Sequence, residues 1–181
     1  MKNLCLLLGA LGLSACASGQ SKFSKLETVP KVDLQKYVGE WHEIARIDHW
    51  FQKGCVDSKA TYSLREDGDI DVLNECRLGP KNGKIKKATG RAWIVDSDTN
   101  AKLKVQFFLK SLKLSFLAGD YWIIALDNNY QYAMIGEERR KYLWILSREK
   151  NLPKTTLNDL VARAKREGFP THKLLFDGER E

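Results

Sequence analysis

The residues with chemistry to offer are four cysteines, three histidines and an uneven scatter of lysines and arginines. His42, His49 and His172 share no metal-ligand spacing, and neither a Ser/His/Asp set nor a glycine-rich phosphate loop is present. Cys55 and Cys76 are the thiols placed well inside the chain. Free, either could act as a nucleophile once ionised; bonded to each other, they would be structural. Cations gather in particular segments, at Lys53, Lys81, Lys84, Lys86, Lys87, Lys110, Lys113, Arg139, Arg140 and Lys141. Glu66, Asp67, Asp69, Asp96, Asp98 and Asp127 fall in others. With a net charge of +7, such clustering suits an anionic partner: a nucleic acid, a lipid headgroup or a membrane surface.

Compartment narrows these choices. Lys2 followed by the apolar run from Leu4 to Leu13 is too short to span a bilayer and reads as a signal peptide over residues 1–15. Its end, "LSAC" at 13–16, resembles the lipobox of bacterial lipoproteins. The resemblance implies that Cys16 is the lipidated first residue of the mature chain. With Ala17 rather than an aspartate after it, it also implies the outer membrane. Removing the leader takes away Cys5 and leaves a charge of +6, from 29 Lys+Arg against 23 Asp+Glu. An envelope address removes nucleic acid as a partner and favours a Cys55–Cys76 disulfide. Geometry argues for caution. A two-residue turn at "DG", 67–68, would set Cys76 opposite Lys59, so a bridge to Cys55 requires the preceding chain to fold back. Two separate thiols remain the alternative.

The elements that must position these groups follow from periodicity. After a polar tether, 16–31, strand signals recur at 39–48, 57–66, 69–77, 88–96, 101–109, 120–127, 130–137 and 142–148. Leu157, Leu160, Val161 and Ala164 then mark an amphipathic helix over 155–168, with a capping box at Thr156 and Asp159 and Gly168 past its end. A short strand in "HKLLFD" follows. Eight sequential strands and one late helix predict an all-β, eight-stranded up-and-down antiparallel barrel with the C-terminal helix packed outside, over residues 32–181. A Greek-key sandwich is the alternative. Long first, third and fifth junctions alternate with short ones, so the barrel has an open end and a closed end. The cations belong to the open end. The acids, "VGEW" and the tether belong to the closed one.

Three stretches then carry a resemblance: "GEW" at 39–41, "ALDNNYQYAMIG" at 125–136 and "LWILSR" at 143–148. From residue 32 onward the chain resembles the bacterial lipocalins, outer-membrane lipoproteins related to apolipoprotein D. It departs in the second stretch, where Leu126-Asp127-Asn128 replaces the usual Thr-Asp-Tyr. The resemblance implies that Gly39 allows a tight turn into the first strand, that Trp41 floors the barrel and that Arg148 stacks on its indole. It implies a cup for one small ligand; the lack of a catalytic set or metal-ligand spacing in the sequence leads to the expectation of no enzymatic activity and no cofactor. An apolar cup under a basic mouth suits a fatty acid or lysophospholipid stored or carried in the cell envelope. The expected mouth is Lys84, Lys86, Lys87, Lys110, Lys113, Arg139 and Arg140. The expected cavity wall is Leu103, Val105 and Phe107 on one face, with Trp93 beside Arg91 on another. Apolar residues in the fifth junction, Leu112, Leu114, Phe116 and Leu117, point to inward folding, a homodimer or lipid contact. Two rival readings stand: a thiol-dependent enzyme on the same barrel, and an envelope tether without a ligand.

Overall fold

The computed structural model describes residues 23–79 and 82–177; the expected signal peptide, Cys16 and Lys81 lie outside them. Strands β1 (Gly39–Ile47), β2 (Cys55–Leu64), β3 (Ile70–Leu78), β4 (Ile85–Ile94), β5 (Lys102–Gln106), β6 (Gly119–Leu126), β7 (Tyr132–Gly136) and β8 (Leu143–Ser147) pair in sequence order. All pairings are antiparallel, and β1 bonds both β8 and β2, closing the barrel. The sandwich alternative is thereby excluded. A short helix α1 (Leu34–Tyr37) precedes β1, and α2 (Lys154–Arg166) packs outside. The final strand, β9 (Leu174–Phe176), pairs with Ala45–Ile47 of β1, on the edge that β2 leaves after His42.

Side-chain alternation sorts the apolar residues into two layers. Trp41, Tyr62, Ile70, Val72, Ala92, Leu103, Ile123 and Ile135 face inward as one cluster. The second cluster lies outside β6, β7 and β8, where Ile124, Met134 and Ile145 meet Leu160 and Ala164 of α2. This explains why those strands are apolar on both faces: α2 covers the side that would otherwise meet water. Each such side chain contributes about 1.5–3 kcal/mol by leaving solvent.

Leu26 is fully buried in that same outer layer. Residues 23–31, expected to belong to a loose tether, therefore pack on the barrel. Arg140 donates to the Ser24 carbonyl, Val29 N–H to Ile123 and Val32 N–H to Thr99. Arg140 stands in the β7–β8 turn at the open end, Thr99 in the β4–β5 turn at the closed end. The segment thus descends the outside of the barrel from mouth to floor. The chain reaches the barrel at the open end, not the closed end as expected.

Two local expectations change. Pro153, with its fixed φ, occupies the N-cap of α2 and provides no side-chain cap, so Thr156 and Asp159 fall inside the helix and form no capping box. Gly168, at φ +90°, sits just past the end as expected. The β2–β3 connection is not a two-residue turn. Leu64 pairs with Ile70, leaving five residues, 65–69, between them, and the register moves so that Lys59 faces Glu75. A bulge at 57–58, with Asp57 at φ +49°, then sets Cys55 opposite Leu78, on the same face as Cys76. Their alpha carbons lie 5.4 Å apart and the two form a disulfide.

Candidate functional site

The floor is built from α1 and the start of β1. Trp41 is completely buried, and its indole N–H donates to the Tyr37 carbonyl at 2.8 Å. The Arg148 guanidinium lies 3.8 Å from the ring centroid. It also donates to the carbonyls of Lys36, Tyr37, Val38, Glu40 and Tyr130. Gly39, at φ +101°, is needed twice over. Few side chains tolerate that backbone, and a Cβ there would stand 3.2 Å from Arg148 Nη1. Above the floor the Tyr37 and Tyr121 hydroxyls are 2.7 Å apart, and Tyr121 donates to Tyr62. Burial pushes all three phenols up, that of Tyr62 to about 12, so they stay neutral and serve as a hydrogen-bonded layer.

Higher in the barrel, small residues keep the wall thin. Gly90 and Ala92 of β4 face inward opposite Val72 and Ile70, as does Ala60 of β2. The Phe107 ring lies against Gly90, where a Cβ would meet it at 3.0 Å. At the open end the β1–β2 loop crosses the mouth. Its single 3-10 turn, Trp50–Gln52, is fastened on two sides. Gln52 donates to Glu43 and accepts from the Trp144 indole, and Lys86 on the far strand β4 reaches the Phe51 carbonyl at 3.1 Å. Beneath it Arg46 and Glu43 form a buried ion pair at 2.5 Å, with Arg46 also donating to the Gln52 and Cys55 carbonyls. The His49 ring stacks on Phe51 at 3.7 Å and touches Tyr142 and Trp144. Burial first, then the charge of Arg46, lowers its pKa to about 4.

The barrel interior is apolar, closed at one end by the Trp41–Arg148 floor and crossed at the other by a polar strap. A family model for the lipocalin-like domain matches residues 32–178. The chain is 41% identical over 153 residues to temperature-induced lipocalin-1 of Arabidopsis thaliana, covering 83% of this chain and 81% of that one. The chain belongs to the lipocalin family. This lipocalin is also 33% identical over 177 residues to outer membrane lipoprotein Blc of Vibrio cholerae, covering 97% and 98% of the two chains. Among solved structures it shares the fold of insecticyanin from the tobacco hornworm Manduca sexta, with a TM-score of 0.64, 21% identity and 86% and 85% coverage.

The lipocalin barrel divides the residues that the sequence singled out. Gly39, Trp41 and Arg148 meet at the floor. Leu103, Val105 and Phe107 join the interior cluster. Trp93 does not: it alternates with the inward Ala92 and Ile94 and stands opposite Lys104, so it faces outward. The expected basic mouth is similarly thinned. Lys84 lies in the β3–β4 loop and Arg139 in the β7–β8 turn, both exposed, and Lys86 points across the mouth. Lys87 faces outward to Glu75 at 2.7 Å. Arg140 is spent on the carbonyls of Ser24, Glu138 and Glu167. Lys110 bonds the Thr89 hydroxyl and Lys113 the Asp69 carboxylate, because the β5–β6 loop, 107–118, folds back over the outer face of β3 and β4. Between this loop and the sheet lies a cleft of about 570 Å³ lined by Thr61, Ser63, Val72, Thr89, Gly90 and Arg91.

The Glu43–Arg46–Gln52 strap went unread in the sequence for a definite reason. Residues three apart on a regular strand face opposite ways, but the bulge between Glu43 and Ala45 puts both Glu43 and Arg46 inside.

Proposed function

We propose that this lipocalin is an outer-membrane lipoprotein, anchored through Cys16, that stores or carries one fatty acid or lysophospholipid in its barrel. The observation that supports the reading is the apolar lining of the barrel above the Trp41 floor, with Val72, Leu103, Ile123 and Ile135 all facing inward. Burying about ten methylenes at roughly 0.8 kcal/mol each supplies near 8 kcal/mol before immobilisation costs, consistent with micromolar affinity. Lys86 and Lys84 are the cations positioned for an anionic head. The name of the Vibrio cholerae relative, matched over 97% of this chain, supports the anchor and the outer membrane. The thiol-enzyme reading loses its basis, since Cys55 and Cys76 are joined to each other. Tryptophan fluorescence tests the carrier reading. Fatty acid or lysophospholipid should give a saturable one-to-one response through Trp144 and Trp41; the ligand-free tether reading predicts none. Separately, Cys16→Ser should free the protein from membrane fractions, and a variant still in the membrane pellet would count against the anchor.

A further inference from the structure

Three side chains at the strap hold polar atoms with no hydrogen-bond partner among the described residues: Arg46 at Nε, Ser58 at Oγ and His49 at both ring nitrogens. They are only 1%, 5% and 7% exposed. A buried donor or acceptor left unmet costs free energy, so native proteins nearly always pair such groups with protein, water or ligand. The Gln52 amide lies beside the His49 ring but cannot serve it, since its nitrogen is spent on Glu43 and its oxygen on the Trp144 indole.

The fold brings the three together. Arg46 stands opposite Trp144 in the β1–β8 ladder and is joined to Glu43 at 2.5 Å. Ser58 comes next after the His42–Lys59 pair, which sets it across from Glu43, and it alternates with the inward Ala60. The His49 ring is centred 5.3 Å from the Trp144 ring, and Arg46 is near enough to add its charge to burial in lowering the His49 pKa. The neutral imidazole has one N–H to give and one bare nitrogen to receive. Arg46 gives Nη1 to Glu43 and Nη2 to the carbonyls of Gln52 and Cys55, which leaves Nε–H.

Donors and acceptors are thus both on offer in one small, closed place. Glu43 already balances the charge of Arg46, and Asp177 adds negative charge on that side. Such a place disfavours a phosphodiester with its fixed charge. It suits a carboxyl group, which can stay protonated where burial raises its pKa, as it does for Glu43. We propose that the carboxyl head of a free fatty acid seats beneath the strap on Arg46 Nε, Ser58 Oγ and His49, with its chain running down towards Trp41. The five residues of β1 from Trp41 to Arg46 give that chain a depth of about 16 Å. The inference rests on the barrel carrying a lipid, and it selects fatty acid over lysophospholipid. Lys84 and Lys86 on the rim meet the head on its way in.

Titration of the full chain with hexadecanoic acid, hexadecanol and a lysophosphatidylglycerol of the same chain length tests this. Ser58→Ala should weaken the acid about fivefold and the alcohol less than about twofold, as for the loss of one buried hydrogen bond. The carboxyl signal of bound acid, carbon-13 labelled at that carbon, should shift between wild type and variant. Raising salt from about 50 to about 500 mM should barely change the affinity for the acid, because a seat beneath the strap is shielded from ions. His49→Phe, which keeps a ring on Phe51, repeats the test should Ser58→Ala misfold, and the alcohol reports whether either barrel is intact. Acid affinity that falls with salt and ignores both substitutions puts the head on the rim, or leaves these groups to water alone; it overturns the seat and leaves the carrier standing. Lysophosphatidylglycerol bound as tightly as the acid, and weakened equally by Ser58→Ala, overturns the selection of fatty acid. A wild type that binds none of the three overturns the carrier reading and the seat together.

Discussion

Replacing Arg148 separates the two ways in which it seals the floor. Its guanidinium stacks on Trp41 at 3.8 Å and donates to five carbonyls from α1, β1 and the β6–β7 turn. The cation–π contact is worth roughly 0.5–2 kcal/mol. Hydrogen bonds from a charged donor reach about 1.5–3 kcal/mol each when buried, but several of these carbonyls are near solvent and water replaces much of that. Arg148→Ala should therefore cost about 2–4 kcal/mol. Arg148→Lys keeps the charge but offers three donors from one point and no plane to lie on the indole, so it should recover only about half. Urea unfolding measures both, with the midpoint moving and the slope unchanged. A lysine variant within about 0.3 kcal/mol of wild type would refute the argument from planarity. An alanine variant losing less than about 0.5 kcal/mol would refute the floor itself.

Reduction of Cys55–Cys76, or the paired change to serine, should cost roughly 3 kcal/mol, since the bridge joins residues 21 apart in sequence; an unchanged urea midpoint would show that the bridge constrains little. His49, with a pKa lowered to about 4 by burial and by Arg46, should keep a neutral ring at pH 5.5. The unfolded chain takes up this proton near pH 6.5 and the native one does not, so the His49 contribution to stability is lost as pH falls from about 6.5 towards 4. An NMR titration with an ordinary midpoint near 6.5 would mean that the strap does not bury this ring.

The barrel was legible in the sequence because Ile70, Val72, Leu103 and Val105 alternate with polar neighbours, and because the doubly apolar "YWIIAL" and "YLWIL" require an outer cover that Leu160 and Ala164 supply. The floor was legible only through resemblance: nothing in the spacing of Trp41 and Arg148 brings together residues 107 positions apart. The rest depended on bulges and on paths outside the barrel. One bulge turned Glu43 and Arg46 to the same side, another aligned Cys55 with Cys76, and neither leaves a mark in the residue pattern. Leu26 sits alone in a polar stretch, so its burial beneath α2 was invisible. The lysines were assigned to the mouth by loop order, and Lys84 and Lys86 stand at the open end. It fails for Lys110 and Lys113, whose loop folds outward to Thr89 and Asp69.

The proposed function requires the barrel interior to hold a lipid chain. The direct measurement is the lipid released by solvent extraction from purified protein, quantified per chain by mass spectrometry; the proposed acyl groups on Cys16 would be covalent and stay with the protein. Val72→Trp, which puts a large ring into the interior opposite Gly90, provides the comparison. The account predicts about one fatty acid or lysophospholipid per wild-type chain and a marked loss in a Val72→Trp variant whose far-ultraviolet circular dichroism is unchanged. No stoichiometric lipid in the wild type, or an equal amount in both proteins, would contradict it.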